Sequence, residues 1–251
     1  MNKTSIRPYT NEDFKQLAEV YKSAFAEEPW NEYMKCTECG VNYGKNEIKF
    51  TPMIAQGRSK NVEYTLMQVI YDNCKNCGID IMAEIAIQTS YGDYMVPTDK
   101  IIPYWSEKEI KNDLDFALSQ DKPIILVAES VSKLSGFTWG YKLPIEKFPF
   151  LEGKVSNNSN YMDEIAVNGE SRIKGTGTAL GMKYINTCKM QNIEQIVLRT
   201  DERNNASMAL FKRLGFKPII SNGLSVYDPE YPQRIYLALE VKCISKLSMN
   251  I

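Results

Sequence analysis

Residues 161–178 read YMDEIAVNGESRIKGTGT, and this stretch decides the interpretation of the fold. Its first part, 161–167, predicts a β-strand, and a helix follows from 176 because apolar Leu180, Tyr184 and Cys188 recur at helical spacing. Gly175 and Gly177 therefore lie where a strand passes into a helix. Free N–H groups at a helix start, with the helix dipole behind them, attract an anion. The loop predicts a diphosphate cradle, although glycines before a helix are also common in simple turns.

Two other phosphate-binding motifs fit less well. The chain lacks the Gly-x-x-x-x-Gly-Lys-Ser/Thr pattern of a P-loop. A dinucleotide fingerprint is closer, since Gly175, Gly177 and Gly181 follow a strand. However, residues 168–174 make the connection too long for its tight turn, and too few βα units surround it.

The rest of the chain predicts a sheet with flanking helices. Helices are expected at 10–26, opened by a Thr10–Asp13 capping box, at 106–118 and at 206–214. Strands are expected at 6–9, in a hairpin over 124–141, and at 196–200, 216–220 and 234–241.

The stretch 161–216 resembles the GNAT superfamily of acyl-CoA-dependent N-acyltransferases. The Gln/Arg-x-x-Gly-x-Gly/Ala motif matches at Arg172, Gly175 and Gly177, and DEIAV at 163–167 resembles the fourth strand of the family. The closing helix and its Gly-Phe turn match at 204–216. The resemblance covers roughly 1–33 and 104–242. It implies an α/β (α+β) fold with a mixed, mostly antiparallel sheet, splayed between its fourth and fifth strands and flanked by helices.

The resemblance also implies where acetyl-CoA, or another acyl-CoA, would bind. The pantetheine amides would pair with backbone near Ile165 and Val167, and the diphosphate would lie on N–H groups of the loop. Asn204 matches an asparagine that helps hold the pantetheine arm, and Phe211 stands where many relatives carry the tyrosine that protonates the leaving thiolate. The implied cofactor-binding residues are Ile165, Ala166, Val167, Arg172, Ile173, Lys174, Gly175, Thr176, Gly177, Thr178, Asn204 and Phe211.

The chain contains no histidine, so an amine substrate would have to lose its proton to a carboxylate or to water. The strand acids Asp163 and Glu164 are the candidate bases. Strand alternation places Asp163 on the face of Ile165 and Val167 and favours it, although both acids could be ordinary surface residues. The backbone N–H of Val167 would hold the oxyanion. Because Phe211 replaces the tyrosine that would protonate the thiolate, either Tyr227 or Tyr231 serves as the acid, or the thiolate leaves with help from solvent.

Four of the six cysteines form two Cys-x-x-Cys-Gly pairs, which predict a metal site. The ligands are Cys36, Cys39, Cys74 and Cys77, within a zinc-ribbon-like insertion at 34–103 of a single domain spanning 1–251. Zinc is preferred, although the knuckles also look rubredoxin-like and thiolates accept iron. A structural zinc is expected; a platform for a substrate or partner is the other interpretation.

Composition limits the partners. Lys plus Arg is 30 against 31 for Asp plus Glu, so no basic excess points to nucleic acid, and no apolar run is long enough to cross a membrane. A cytoplasmic N-acetyltransferase that acts on an amine-bearing small molecule or peptide is expected, as a monomer or homodimer. Acidic residues would suit a polycationic acceptor: Glu27, Glu28, Glu32, Asp93 and Asp99. The alternative is a zinc-ribbon adaptor for nucleic acid or protein, with a weakly active acyltransferase fold.

Overall fold

The computed structural model describes residues 4–47, 55–59, 62–89, 92–95, 100–130, 133–169 and 174–241. Its strands, in chain order, are β1 (Ser5–Pro8), β2 (Met34–Cys36), β3 (Asn42–Tyr43), β4 (Ala55–Ser59), β5 (Val62–Asn73), β6 (Asp80–Thr89), β7 (Gly92–Met95), β8 (Ile101–Pro103), β9 (Ile124–Ser130), β10 (Lys133–Lys142), β11 (Ser159–Val167), β12 (Gln195–Asp201), β13 (Lys217–Pro218), β14 (Ile220–Ser221), β15 (Leu224–Ser225) and β16 (Arg234–Glu240).

The α-helices are α1 (Phe14–Phe25), α2 (Glu107–Ser119), α3 (Thr176–Met190) and α4 (Asn205–Leu214), and short 3-10 turns lie at Asn11–Asp13, Ile145–Lys147 and Pro149–Leu151. The chain divides into two compact units. Unit 1 comprises Met1–Ala24 with Glu107–Ile251, and unit 2 comprises Phe25–Ser106. In the described residues, no helix has the length and apolar character needed to span a bilayer.

Unit 1 is built on a seven-stranded sheet in the order β1-β9-β10-β11-β12-β16-β13. All neighbouring strands are antiparallel except β11 and β12, which run parallel. The mixed, mostly antiparallel sheet with flanking helices confirms the predicted fold class.

The two faces of this sheet are covered by different helices. On one face, α3 and α4 enclose an apolar core that includes Leu126, Met162, Leu180 and Tyr184. On the other face, the ring of Tyr21 from α1 stacks on Phe137 and Trp139 of β10, at 5.8 and 5.9 Å between centroids. Phe116 of α2 packs edge-on against Tyr141 of the same strand. We call the first the α3 face and the second the α1 face.

The capping box predicted at the first helix is confirmed and is part of an ion-pair network. The Asp13 carboxylate accepts a hydrogen bond from the Thr10 N–H at 2.8 Å and two from the Arg7 guanidinium, each at 2.7 Å. Arg7 also donates from Nε to Glu129 of β9 at 2.7 Å. The Arg7 hydrogen bonds hold the pKa of Asp13 below its usual value. The network therefore ties the helix start to two neighbouring strands.

One predicted strand is divided in the structure. The expected strand at 216–220 appears as β13 in the main sheet and β14 in a separate hairpin with β15. The Ile219 N–H still donates to the Tyr236 carbonyl at 3.0 Å, but the Tyr236 N–H donates to the Val226 carbonyl instead of to Ile219, so the regular pairing with β16 ends at Pro218. The β14–β15 hairpin turns at Asn222 and Gly223, which have positive φ, and the sequence prediction missed it.

Unit 2 contains two small antiparallel sheets, one of order β3-β2-β8 and one of order β4-β5-β6-β7. The first sheet carries a small apolar core around two of the cysteines. Its buried members are Cys36, Tyr43, Cys74, Ile81 and Ile101. A core this small is typical of a segment that needs a metal or another cross-link for stability.

Candidate functional site

The parallel strands β11 and β12 separate soon after they begin to pair. Their register covers only Ser159–Tyr161 against Gln195–Val197, although both strands continue beyond it. β11 and β12 are the fourth and fifth strands of unit 1, which is the splay predicted from the family resemblance. The splay leaves one edge of β11 open from residue 162 onward, and we call this opening the fork.

A β-bulge lies in β11 at the mouth of the fork. Trp139 pairs with Glu164 and Gly140 pairs with Met162, so Asp163 has no residue opposite it on β10. One extra residue in a strand bends the strand locally and shifts the direction of the side chains beside it.

The bulge makes the predicted alternation wrong at Asp163. Met162 belongs to the core of the α3 face, and Ile165 and Val167 pack against the same core. Strict alternation from Met162 would place Ile165 and Val167 on the opposite face. The Asp163 carboxylate instead lies on the α1 face, where Tyr141 OH donates to its Oδ2 at 3.2 Å and Trp139 Nε1 is 3.4 Å away. Glu164, paired with Trp139, belongs to the same face.

Asp163 is partly buried, and this affects its ionisation. Loss of hydration raises the pKa of its carboxyl group above the usual value, although the hydrogen bonds from Trp139 and Tyr141 and the charge of Arg199 oppose the shift. A carboxylate with a raised pKa is a stronger base than one in water. Asp163 therefore has the chemistry of a general base, and it lies at the fork.

Backbone donors of β11 face the fork. The Asn168 N–H donates to the Ser135 carbonyl at 3.0 Å, which makes these two residues a hydrogen-bonded pair of the β10–β11 ladder. Such pairs alternate along an antiparallel ladder, so the N–H groups of Ile165 and Val167 point away from β10. They lie on the open edge, where an extended amide-containing ligand can pair with them.

The predicted phosphate loop leads directly into α3. Gly175 caps the helix with φ of 96°, and the first intrahelical bond runs from the Ala179 N–H to the Gly175 carbonyl. The N–H groups of 176–178 precede that bond, as an anion site at a helix start requires. A Cβ at Gly177 would lie 3.3 Å from Leu210 and 3.6 Å from Val167, so glycine lets the helix start pack closely against the end of β11.

Arg213 adds a positive charge that the sequence prediction missed. It is exposed on α4, and its Nη1 donates to Thr178 Oγ1 at 3.3 Å. Lys174, also exposed, precedes the helix. Arg172 and Ile173 of the predicted set lie outside the described residues, as does Asp99, and so does the side chain of Asp93.

Asn204 and Phe211 have clear structural roles. Asn204 is the N-cap of α4, with its Oδ1 accepting from the Ser207 N–H at 3.0 Å. Phe211 is only 4% exposed and packs edge-on against Phe216 in the α3-face core. Binding of a cofactor by either residue remains a prediction.

The two candidate acids for the leaving thiolate have other partners. Tyr227 OH donates to Glu202 at 3.0 Å, and this hydrogen bond raises the pKa of the phenol. The Tyr231 ring has the Arg234 guanidinium 4.4 Å from its centroid. Neither of these contacts involves Asp163 or the α3 loop.

The four cysteines predicted as ligands come together. Their sulfurs all lie within 4.8 Å of one another, with Cys36 and Cys77 at 3.9 Å and Cys39 and Cys74 at 3.6 Å. A tetrahedral site with metal–sulfur bonds of about 2.3 Å requires sulfurs about 3.8 Å apart. The cluster therefore fits a tetrahedral thiophilic ion.

The two halves of the cluster are built alike. In each, the glycine after the second cysteine has positive φ, 70° at Gly40 and 72° at Gly78, and donates its N–H to the carbonyl of the first cysteine at 2.9 Å. Backbone N–H groups of Val41, Asn76, Cys77 and Ile79 also reach the sulfurs. Such donors stabilise thiolates, which are the form that binds a metal.

The aromatic and basic residues beside the knuckles are used within unit 2. Tyr43 is 7% exposed, its hydroxyl accepts from the Lys75 N–H, and the Lys75 ammonium lies 4.6 Å from its ring centroid. Lys35 lies over the ring of Tyr104 in the same way. This packing does not favour the adaptor interpretation, which needs these side chains to contact a partner.

The family model described as "Acetyltransferase (GNAT) family" matches residues 84–216. No curated protein sequence matches the chain.

Among solved structures, the PaiA N-acetyltransferase of Thermoplasma acidophilum, in complex with coenzyme A, is 14% identical with a TM-score of 0.50, covering 95% of this chain and 99% of its own. The ribosomal-protein-S18-alanine N-acetyltransferase of Escherichia coli is 19% identical (TM-score 0.40; 59% and 83% covered). An N-acetyltransferase of Staphylococcus aureus Mu50 is 20% identical (TM-score 0.42; 56% and 80% covered).

The family match extends from β6 to the Gly-Phe turn after α4 and so includes the fork, the bulge and the α3 loop. It spans more than half of the chain, and the PaiA structure shares the fold along nearly the whole length of both proteins. The chain therefore belongs to the GNAT acetyltransferase family.

Proposed function

We propose that this protein is an acetyl-CoA-dependent N-acetyltransferase that acts on a primary amine of a small molecule or peptide. The observation that carries the proposal is the fork between β11 and β12, which opens beside the start of α3, where the N–H groups of 176–178 precede the first intrahelical bond. A ligand with an extended amide arm and a diphosphate matches this pair of features. Coenzyme A has both.

The backbone of β11 and the α3 loop would hold the cofactor. The pantetheine amides would pair with Ile165 and Val167 on the open edge of β11, and Ala166 lies between them. The diphosphate would lie on the loop from Arg172 through Lys174 to Thr178, and Asn204 would contact the pantetheine arm. The Val167 N–H would then stabilise the oxyanion that forms when the thioester carbonyl is attacked.

Asp163 is the proposed general base. It would accept a proton from the ammonium of the acceptor, directly or through water, and the neutral nitrogen would attack the thioester carbonyl. A new amide bond forms, the attacking nitrogen releases its second proton to solvent, the C–S bond breaks and coenzyme A leaves as a thiolate. Glu164 lies on the same face and is the second candidate. Phe211 has no hydroxyl group, so the thiolate would take its proton from Tyr227, Tyr231 or solvent.

We also propose that the four-cysteine cluster of unit 2 holds one zinc ion. The support is the spacing of the sulfurs, the two matching knuckles and the small core around them. When bound, the ion would cross-link two distant segments of unit 2 and so supply folding free energy. A cluster of reduced thiols also agrees with the reducing cytoplasm.

Calorimetric titration with coenzyme A tests the cofactor site. Lys174→Glu and Arg213→Glu reverse a charge beside the loop, and we expect each to weaken binding about tenfold, because charge-assisted contacts to phosphate are lost. Lys183→Glu is the matched control, since it makes the same charge change on an exposed position of α3, two turns further on. Equal effects at all three positions, or no binding by the wild-type protein, would contradict the proposed site.

A library of amines tests the reaction itself. The protein is incubated with acetyl-CoA and each amine. The coenzyme A released is quantified by chromatography, because the cysteines of the protein would react with thiol reagents. We expect coenzyme A to appear only with amines that become acetylated. Binding of acetyl-CoA without turnover of any primary amine would refute the enzymatic part of the proposal.

A further inference from the structure

Two opposite charges flank the fork on the α1 face. Tyr161 and Val197 are the last residues that pair β11 with β12, and Asp163 and Arg199 each follow two positions later. The charge of Arg199 acts on Asp163 and on the hydroxyl of the buried Tyr161. The place where the acceptor would meet the thioester therefore has a carboxylate on one strand and a guanidinium on the other.

Asp228 holds the Arg199 guanidinium in position. Its Nη1 donates to Asp228 Oδ2 at 2.6 Å, and Asp228 also accepts from Tyr236 OH and from the N–H groups of Glu230 and Tyr231, each at 3.0 Å. These donors satisfy Asp228, which is only 7% exposed. Asp228 thus serves to orient Arg199.

The guanidinium keeps the capacity to bind a ligand. The side chain of Arg199 is 29% exposed; its Nη1 is engaged by Asp228, and the guanidinium also makes a hydrogen bond with the Tyr236 hydroxyl, which leaves further N–H donors. A guanidinium has five N–H donors in a planar arrangement that suits both oxygens of a carboxylate. An arginine held in one position, with donors to spare and part of its surface exposed, is a carboxylate-binding group.

We propose that the acceptor is a small amine that also carries a carboxylate, such as an α-amino acid, and that Arg199 binds this carboxylate while the amine meets Asp163. The inference rests on the proposed function and names the substrate class of that site. A polycationic acceptor would bring a second ammonium group against Arg199.

Aromatic rings line the same face behind the charged pair. Phe148 contacts the rings of Tyr161 and Tyr236, with centroids 5.2 and 6.1 Å apart, and Phe150 packs on Tyr236 at 5.3 Å. Phe148 and Phe150 are both partly exposed. If the acceptor also carries an apolar side chain, that side chain could pack against these rings and bury apolar surface.

Substrates that differ only by a carboxylate test the inference. Phenylalanine is compared with phenethylamine, and lysine with cadaverine, by the initial rate of coenzyme A formation. We expect the wild-type protein to favour the amino acid of each pair at least tenfold in kcat/KM. Arg199→Gln should lower kcat/KM for the amino acids about 10- to 100-fold and change the decarboxylated amines less than threefold, because only the former lose a charged contact.

Two further variants separate this role from a structural one. Arg199→Lys keeps the charge and should recover part of the preference for the amino acid. Arg203→Gln removes an exposed arginine four positions away that pairs with Asp201, and it should leave the preference unchanged. The acetyl-CoA affinity of the Arg199 variants should equal that of the wild-type protein, which checks that unit 1 is folded.

The outcomes distinguish this inference from the proposed function. If acetyl-CoA does not bind the wild-type protein, the proposed function fails. If acetyl-CoA binds but the decarboxylated amines react as well as the amino acids, or Arg199→Gln affects both alike, only the acceptor class is wrong. The same holds if no carboxylate-bearing amine reacts or gives a calorimetric signal with the protein saturated by coenzyme A.

Discussion

Gly140 of β10 provides a strict test of the packing around the bulge. It pairs with Met162, directly beside the extra residue of β11. An added Cβ would lie 2.1 Å from the Tyr161 carbonyl oxygen, 2.0 Å from the Tyr184 hydroxyl and 2.9 Å from the Met162 Cα. Two of these atoms belong to the backbone, so Gly140→Ala cannot be accommodated by the rotation of a side chain.

The cost of Gly140→Ala follows from the contacts that must move. Overpacking a tight core costs about 1–3 kcal/mol, and the backbone contacts place this substitution at the upper end of that range. Displacement of the Tyr184 hydroxyl would also disturb its buried hydrogen bond to Asn160, which adds about 1 kcal/mol. We expect a loss of about 3–4 kcal/mol in the free energy of unfolding, and a fall in Tm of roughly 6–16 °C for a domain of this size.

Gly153→Ala is the matched control for the same chemical change. Gly153 has φ of 72°, yet an added Cβ meets nothing within 4 Å. The cost there is limited to the left-handed backbone, at about 1–2 kcal/mol. Thermal and urea unfolding should therefore give a clearly lower free energy of unfolding for Gly140→Ala than for Gly153→Ala. Equal stability of the two variants would show that β10 and β11 are not packed as described, and the bulge at Asp163 would then be in doubt.

Three further predictions concern the base, the metal and the ion pair of the first helix. Asp163→Asn should lower kcat at least 100-fold without changing the affinity for acetyl-CoA. Because folding raises the pKa of the Asp163 carboxyl group, the substitution should not reduce the free energy of unfolding at pH 7. An unchanged pH–rate profile in this variant would exclude Asp163 as the base. Elemental analysis should find about one zinc per chain in the wild-type protein and in Cys188→Ser, whose cysteine lies in the buried α3-face core, and little or none in Cys74→Ser. Arg7→Gln should lower the free energy of unfolding by about 1–2 kcal/mol at pH 7; the difference should shrink as pH falls through the depressed pKa of Asp13, and a pH-independent difference would contradict the ion pair.

The sequence predicts those parts of unit 1 that have a local signal. The helix predicted from 176 runs over Thr176–Met190, since its apolar stripe and preceding glycine are both explicit. The splay between β11 and β12 came from the resemblance, and the cysteine cluster came from spacing alone. These features depend on residues close together in the chain or on a repeated pattern.

The bulge at Asp163 could not be predicted in the same way. Alternation assumes one residue on each strand per step, and the extra residue in β11 is visible only against its partner β10. Arg199 and Arg213 were missed for a related reason, because their importance arises from Asp228 and Thr178, which lie 29 and 35 residues away. No periodicity in a single sequence identifies such pairs.

The pairing of β1 with β9 has a consequence for how the chain folds. Ser5 lies opposite Glu129, 124 positions further on, and residues 25–106 of unit 2 make up most of that separation. Closing a flexible segment of this length, rather than one of roughly 40 residues, costs about 1 kcal/mol more in entropy. If unit 2 becomes compact first around the proposed zinc ion, the ends of the segment are already restrained and much of that cost disappears. We therefore expect refolding of the edge strand to be faster when zinc is present, so that the supply of metal during synthesis would govern how quickly unit 1 matures.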